Sequence, residues 1–352
     1  MTFSYGADET AKELAAGLRD FFAGECDLER VRATWAEPSL DAELWKGVAG
    51  LGLTGALASE DAGGLGLAPE EIVPAIEEIG YSGASLPLVD TLAVAIPVIE
   101  RFGSAQQRAE LLPGLVSGEL VAATAVMAGG DRAMFAQDAD VVVIEHDGAL
   151  HVLRRGDYQV EHVGSPDPAS RLGRIRVSNW PADTRLHEGA VEYASTQVVW
   201  AAAAYLNGVS RRMLDLTVDH AKTREQFGRS IGSFQAVKHL IADAWVATES
   251  SRPCAWFAAT VAGAGGAEAT AAASVAKASA SDAARLVGDV ALQVHGGIGF
   301  TWEHPLHFWM KRGKLLENLH GSREFHARRL AVIVRDDPAW QHTIFAHDAF
   351  HE

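Results

Sequence analysis

The constraint that most narrows the fold is a change of periodicity in the middle of the chain. Up to Val116 apolar residues recur at helical steps: Leu14, Leu18, Phe21 and Phe22, then Leu44, Val48 and Leu51, then Ile72, Ile76 and Ile79. Turn chemistry separates these runs, as in Asp61-Ala62-Gly63-Gly64-Leu65-Gly66 ahead of a helix opened by Pro69-Glu70-Glu71, and Phe102-Gly103-Ser104 ahead of Ala105 to Val116. From Leu120 to Leu186 the runs take strand character: Val121 to Met127, Val141 to His146, Ala149 to Leu153 and Arg174 to Val177. Asp147-Gly148 is a hairpin signal, while the stretch containing Gly164-Ser165-Pro166-Asp167-Pro168 reads as loop. From His187 four long helical patterns follow: one to about Thr223, one from Gly232 to about Gly263, one from Ala267 to His295 and one from Ser322 to about Val334. The expected fold is mostly α with a small β domain: an N-terminal helical domain (1–119), a middle β domain (120–186) near the lower size limit for independent folding, and a C-terminal four-helix bundle (187–352).

A net charge of −16 opposes binding to nucleic acid and to anionic lipid surfaces. The apolar stretches Ala201 to Leu206 and Ala255 to Ala267 fall short of the roughly 20 residues that span a bilayer, so no membrane insertion is expected. Met1 to Asp20 lacks the basic and apolar regions of a signal peptide. The two cysteines, Cys26 and Cys254, have neither CxxC nor Cys/His metal spacing, so no disulfide framework and no metal site are expected, and the compartment reads as cytoplasm.

Neither a GxGxxG between strand and helix nor a GxxxxGK[ST] is present, so a dinucleotide would have to be held in another way. Two segments offer one. In Arg224-Glu225-Gln226-Phe227-Gly228, continuing through Phe234-Gln235-Ala236-Val237-Lys238-His239, the Arg224 guanidinium suits a pyrophosphate, Gln226 adds a neutral donor and Phe227 an apolar wall. In Gln293-Val294-His295-Gly296-Gly297-Ile298-Gly299-Phe300, two residues without Cβ let a ligand approach the backbone. A helix-connecting turn and a glycine C-cap explain the same two patterns without a ligand. His239 reads as a solvated or packed histidine, and Trp200, Trp245, Trp256, Trp302 and Trp309 as residues of the bundle core or of subunit interfaces.

With Glu60-Asp61-Ala62-Gly63-Gly64-Leu65-Gly66-Leu67, Glu77-Glu78-Ile79-Gly80, Leu112-Pro113-Gly114-Leu115-Val116-Ser117-Gly118-Glu119 and Thr301-Trp302-Glu303-His304-Pro305-Leu306, the chain resembles the acyl-CoA dehydrogenase family over nearly its whole length. The resemblance implies helical, β and four-helix-bundle domains, tetramers, and FAD held between two subunits. It implies that Arg224, Gln226, Phe227, Gln235, Gln293, Gly296 and Gly297 reach across the interface to a cofactor seated on the neighbour. It also implies α,β-dehydrogenation of an acyl-CoA, in which a carboxylate removes the α-proton and hydride leaves to the flavin, with an acceptor such as electron-transfer flavoprotein downstream.

Two departures qualify that implication. The family's base is a Glu in a Tyr-Glu-Gly-Thr loop, and the matching stretch here is Asn318-Leu319-His320-Gly321-Ser322, which leaves His320 as the candidate base. The alternative position for the base falls near Val198, where Val199 and Trp200 supply no carboxylate; Glu192 is distant along the helix, and Glu317 and Glu324 read as solvated helix-end charges. The flavin-contacting Thr-Glu-Pro-x-x-Gly-Ser-Asp of the family leaves only a trace in Val126-Met127-Ala128-Gly129-Gly130-Asp131. The cross-interface residues are retained while the base and the flavin-holding strand are eroded. That pattern is expected of a subunit completing the FAD site of a homologous, base-bearing partner in a heterotetramer, of the kind this family uses for CoA esters of steroid side chains. A self-sufficient homotetramer using His320 and a non-enzymatic acyl- or CoA-binding scaffold are the competing expectations.

Overall fold

The first helices end where the sequence supplies a cap. The computed structural model describes residues 9–127 and 130–336, beginning with α1 (Glu9–Glu25), α2 (Leu28–Ala36), α3 (Ala42–Gly50), α4 (Pro69–Ser82), α5 (Ile96–Phe102) and α6 (Ala105–Ser117). Asp27 and Asp41 accept the N–H groups of Arg30 and Leu44 at the starts of α2 and α3. Ser104 and Gln107 form a reciprocal capping box on α6. Leu18, Phe22, Leu44, Val48, Ile72, Ile76 and Ile79 are buried as their spacing predicts. Leu51 is not: it sits at the C-cap of α3, half in solvent.

Two small sheets follow. Strand β1 (Ala122–Ala125) pairs in parallel with β3 (Val141–His146), which pairs antiparallel with β4 (Ala149–Arg154). Asp147 and Gly148 both have positive φ, as the hairpin signal requires. The second sheet has the order β2 (Arg132–Ala133), β6 (Gly173–Arg176), β5 (Gln159–His162). Strand β5 corrects the expectation of continuous loop before Arg174. It is an edge strand of polar residues with only Val160 apolar, so no alternation betrays it.

The C-terminal part comprises α7 (Ala190–Thr223), the two-residue strands β7 (Glu225–Gln226) and β8 (Arg229–Ser230), α8 (Gln235–Ala262), α9 (Gly266–His295), α10 (Leu306–Asn318) and α11 (Arg323–Asp336). Helix α10 adds to the four expected helices. Its inward stripe, Leu306, Trp309, Arg312, Gly313 and Leu316, carries a buried arginine that interrupts the apolar period. Arg312 is satisfied inside by Asp167, by the Tyr205 hydroxyl at 2.6 Å and by the Ser85 hydroxyl at 2.7 Å, which ties α10 to the β region, to α7 and to the segment after α4. In α8 the interior face is a line of small residues, Ala244, Thr248, Ser251, Ala255 and Ala258. Leu240 and Trp245, which recur with Phe234, Val237, Ile241 and Ala244 at three- and four-residue steps, stand on the surface. Trp200 and Trp309 fill the core, whereas Trp302 is 65 % exposed.

Helices α4 and α7 cross at backbone contact. A Cβ on Gly80 would lie 2.2 Å from the Tyr205 carbonyl oxygen, and one on Gly208 would lie 2.0 Å from that of Glu77. Beside this crossing Glu77 and Glu78 are buried. Arg252 meets Glu77 at 2.9 Å, and Arg19 and Arg211 meet Glu78 at 2.7 and 3.1 Å. Burial raises the Glu77 pKa, with Arg252 opposing it. Loss of one partner from such a buried set costs about 3–5 kcal/mol.

Candidate functional site

At the end of α7 the Arg224 N–H closes on the His220 carbonyl at 2.9 Å, and the chain turns into the β7–β8 hairpin. Gln226 pairs with Arg229, so Phe227 and Gly228 form a two-residue turn, with φ of 55° and 76°. A left-handed phenylalanine costs about 1–2 kcal/mol, and the conformation leaves its ring 92 % exposed. Arg224, Gln226 and Gln235 are exposed beside it. Among the described residues Arg224 has no carboxylate partner, and the Gln226 amide reaches only the adjacent Glu225 carbonyl at 2.8 Å.

The second segment lies alongside. Gln293 is exposed on the last turn of α9. Gly296 ends that helix at φ 62°, ψ −141°, a conformation outside the regions open to L side chains. A Cβ on Gly296 or Gly297 would meet nothing within 4 Å, so the backbone there faces open space. The His220 and His295 rings stack at 4.4 Å, and this contact brings the end of α7 against the end of α9. The two sequence segments therefore form one surface, and Phe300, 75 % exposed, and Trp302 extend it with apolar area. A guanidinium free of carboxylates, amide donors, an exposed ring and backbone without Cβ fit an anionic dinucleotide approaching from outside the chain.

His320 lies elsewhere, in the corner between α10 and α11, with φ of 60° followed by Gly321 at 97°. Its ring is buried, with Nδ1 3.5 Å from the Val126 carbonyl. It lines a cavity of about 310 Å³ with Val126, Met127, Asp131, Arg132 and Asn318. Ala128 and Gly129, part of the trace read in the sequence, lie outside the described residues. Burial, reinforced by Lys277, lowers the His320 pKa to about 4, so the ring is neutral at pH 7 and a weak proton acceptor. Asp131 is the carboxylate among the lining residues named, and it is drawn to Arg174 at 3.1 Å.

The other positions offer no replacement. Val198, Val199 and Trp200 are buried and apolar. Glu192 accepts the Gly266 N–H at 3.1 Å, Glu317 pairs with Lys314 at 3.0 Å, and Glu324 accepts the Ser322 hydroxyl at 3.0 Å.

Two residues absent from the sequence reading hold this corner. Lys277 is wholly buried in α9 and donates to the Glu317 and Gly321 carbonyls at 3.2 and 3.1 Å and to the Ser281 hydroxyl at 3.3 Å. Burial lowers its pKa to about 7. His326 donates from Nε2 to the His320 carbonyl at 3.0 Å. A lysine in step with Ala273, Ala276 and Ala280 on a buried stripe was the available sequence signal.

Comparisons with known proteins agree with this architecture. Residues 8–119 match the acyl-CoA dehydrogenase N-terminal domain model, and residues 197–334 match the acyl-CoA dehydrogenase C-terminal domain model. The chain is 32 % identical to the acyl-CoA dehydrogenase IpdE2 of Mycobacterium tuberculosis, over 93 % of this chain and 97 % of that one. Among solved structures, a variant of the Tcur3481–Tcur3483 steroid ACAD superposes with a TM-score of 0.84 at 29 % identity, covering 94 % of this chain and 99 % of that one. The ChsE4–ChsE5 complex from Mycobacterium tuberculosis shares the fold, with a TM-score of 0.88 at 24 % identity, over 96 % of this chain and all of that one. With two family models covering both helical parts and a relative matched end to end, the chain belongs to the acyl-CoA dehydrogenase family of flavoprotein oxidoreductases.

Proposed function

We propose that this chain is one subunit of an FAD-dependent acyl-CoA dehydrogenase heterotetramer, and that it completes the cofactor site of a homologous, base-bearing subunit. The observation that carries the proposal is the contrast within one bundle. Arg224, Gln226, Phe227, Gln293 and Gly297 are exposed and, among the described residues, without an ion-pair partner, whereas His320, at the position of the family's base, is buried and held neutral.

FAD, when bound, supplies the two-electron acceptor for α,β-dehydrogenation of an acyl-CoA. On this reading Arg224 forks onto the pyrophosphate, Gln226, Gln235 and Gln293 donate neutral hydrogen bonds, and Phe227 shields an apolar part of the cofactor. Gly296 and Gly297 let it approach the backbone. His320, Lys277 and His326 close the corner after α10 and move no proton in turnover. Likeness to the Tcur3481–Tcur3483 steroid ACAD supports a bulky, steroid-derived acyl group as substrate, with electron-transfer flavoprotein as an electron acceptor.

The test is the flavin spectrum and native mass of the chain purified alone and after co-expression with a base-bearing homologue encoded beside it. Flavin and turnover confined to the mixed tetramer are expected. Stoichiometric flavin with turnover in a tetramer of this chain alone would overturn the proposal.

A further inference from the structure

Three imidazoles from three separate elements meet where α7 and α9 end. His220 belongs to the last turn of α7, His295 is the last residue of α9, and His304 precedes α10. Ring centroids are 4.4 Å apart for His220 and His295 and 4.4 Å for His295 and His304, and one ring nitrogen from each of the three lies within 4.8 Å of the others.

The backbone beneath each ring is fixed. Arg32 donates to the Trp302 and Glu303 carbonyls at 3.1 and 2.6 Å, which pins the loop that carries His304. His295, 5 % exposed, donates from Nδ1 to the Ala291 carbonyl at 2.7 Å, the arrangement that fixes a ligating imidazole with its Nε2 lone pair free. That Nε2 is buried and no group meets it in hydrogen-bond geometry; the Leu216 carbonyl nearby raises the ring's proton affinity, against the effect of burial. An acceptor sealed from water without a donor costs free energy unless something fills its lone pair.

We propose that His220, His295 and His304 bind one late divalent transition-metal ion, of the zinc, cobalt or nickel class, with a water-accessible fourth position. The donors are neutral nitrogens without a carboxylate among them, which disfavours magnesium and calcium. Burial lowers all three histidine pKa values, that of His304 to about 4, and the neighbouring rings add to this at His220 and His304 but not at His295, so the lone pairs are unprotonated at neutral pH. Tetrahedral bonds of about 2.0–2.1 Å place ligand nitrogens about 3.3 Å apart, so closure needs movements of up to about 1.5 Å by the half-exposed His220 and His304. His304 now accepts the Leu306 N–H at Nδ1, at 3.2 Å. Ligation through its Nε2 moves the ring proton to Nδ1 and gives up that contact. The ion would clip the hairpin segment to the glycine turn, bracing the surface that carries Arg224 and Gln293, but its binding does not depend on the FAD reading.

The test is titration of the tag-free, chelator-stripped full chain with Co2+, followed by its visible ligand-field bands and by displacement with Zn2+. Saturation at one equivalent is expected, with loss of the bands in His220→Gln and in His304→Gln. His239→Gln, at an exposed histidine on α8, should retain them. Circular dichroism on each variant confirms the fold, and the two half-exposed positions avoid disturbing the buried His295. Absence of saturable uptake would overturn the site, as would uptake unchanged in His220→Gln and His304→Gln, which would place the ion among others of the chain's 14 histidines.

Discussion

The hairpin surface and the corner after α10 share one bundle and helix α9, yet opposite physics governs them. At the first, a phenylalanine is held in a left-handed turn with its ring in solvent, next to an arginine that has no carboxylate partner among the described residues. The left-handed phenylalanine costs stability in the folded chain, whereas the solvated arginine does not. At the second, polar groups are turned inward: Lys277 and His326 donate to the corner's carbonyls, His326 Nδ1 is buried without a partner, and His320 packs against the β region. Strain left at one place and a proton acceptor weakened at the other are what the proposed role, completing a site on a neighbouring subunit, requires.

Acid provides the strongest challenge to the buried corner. His320 titrates near pH 4 in the folded chain and near 6.5 when unfolded, so unfolding takes up a proton between those values. Its contribution to stability is complete above about pH 6.5 and is lost as pH falls toward 4, by about 3 kcal/mol. His326 acts in the same direction. Urea midpoints measured across this range should fall with pH, and His320→Gln should flatten the dependence; an unchanged slope would mean that the corner opens to water.

On the exposed face, Arg224→Ala should weaken flavin retention by the mixed tetramer roughly 10- to 100-fold, the range for loss of a charge-assisted hydrogen bond of about 1.5–3 kcal/mol. Dilution-driven release of flavin fluorescence reads this directly, while the melting temperature of the isolated chain stays unchanged. Phe227→Ala should cost assembly about 1.5 kcal/mol, roughly tenfold in dissociation constant, and should leave the stability of the isolated chain nearly unchanged, because alanine keeps the left-handed strain and the ring is solvated already. Sedimentation and thermal melting together separate those two effects. The smallest change is expected at the supposed base: His320→Gln should alter turnover of the mixed tetramer by less than about threefold, because a general base contributes about 10²–10⁴. A loss within that larger range would reverse the comparison and make His320 catalytic.

Much of the fold was legible because local patterns and packing agree. The stripes through Leu18, Val48 and Ile76 and the Asp147-Gly148 hairpin carry their own periods. Strand β5 and helix α10 were not legible, the first because an edge strand needs little apolar alternation, the second because Arg312 occupies an inward position that Asp167, Tyr205 and Ser85, all distant in sequence, make tolerable. Trp245 and Leu240 misled in the other direction: their spacing marks an apolar face without saying what it packs against.

The sequence by itself determined the residue types at each candidate position: arginine, glutamine and phenylalanine near the end of α7, glycines after α9, and a histidine where a carboxylate belongs. A helix-connecting turn over Arg224 to Gly228 was one of its two readings of that segment, and the structure places the turn at Phe227 and Gly228. Tertiary structure alone decided which of these groups meets solvent and which is shut away. Burial, proton affinity and the meeting of His220, His295 and His304 depend on contacts between residues far apart in the chain, and hydrophobic periodicity records a segment's own inward face but not its neighbours.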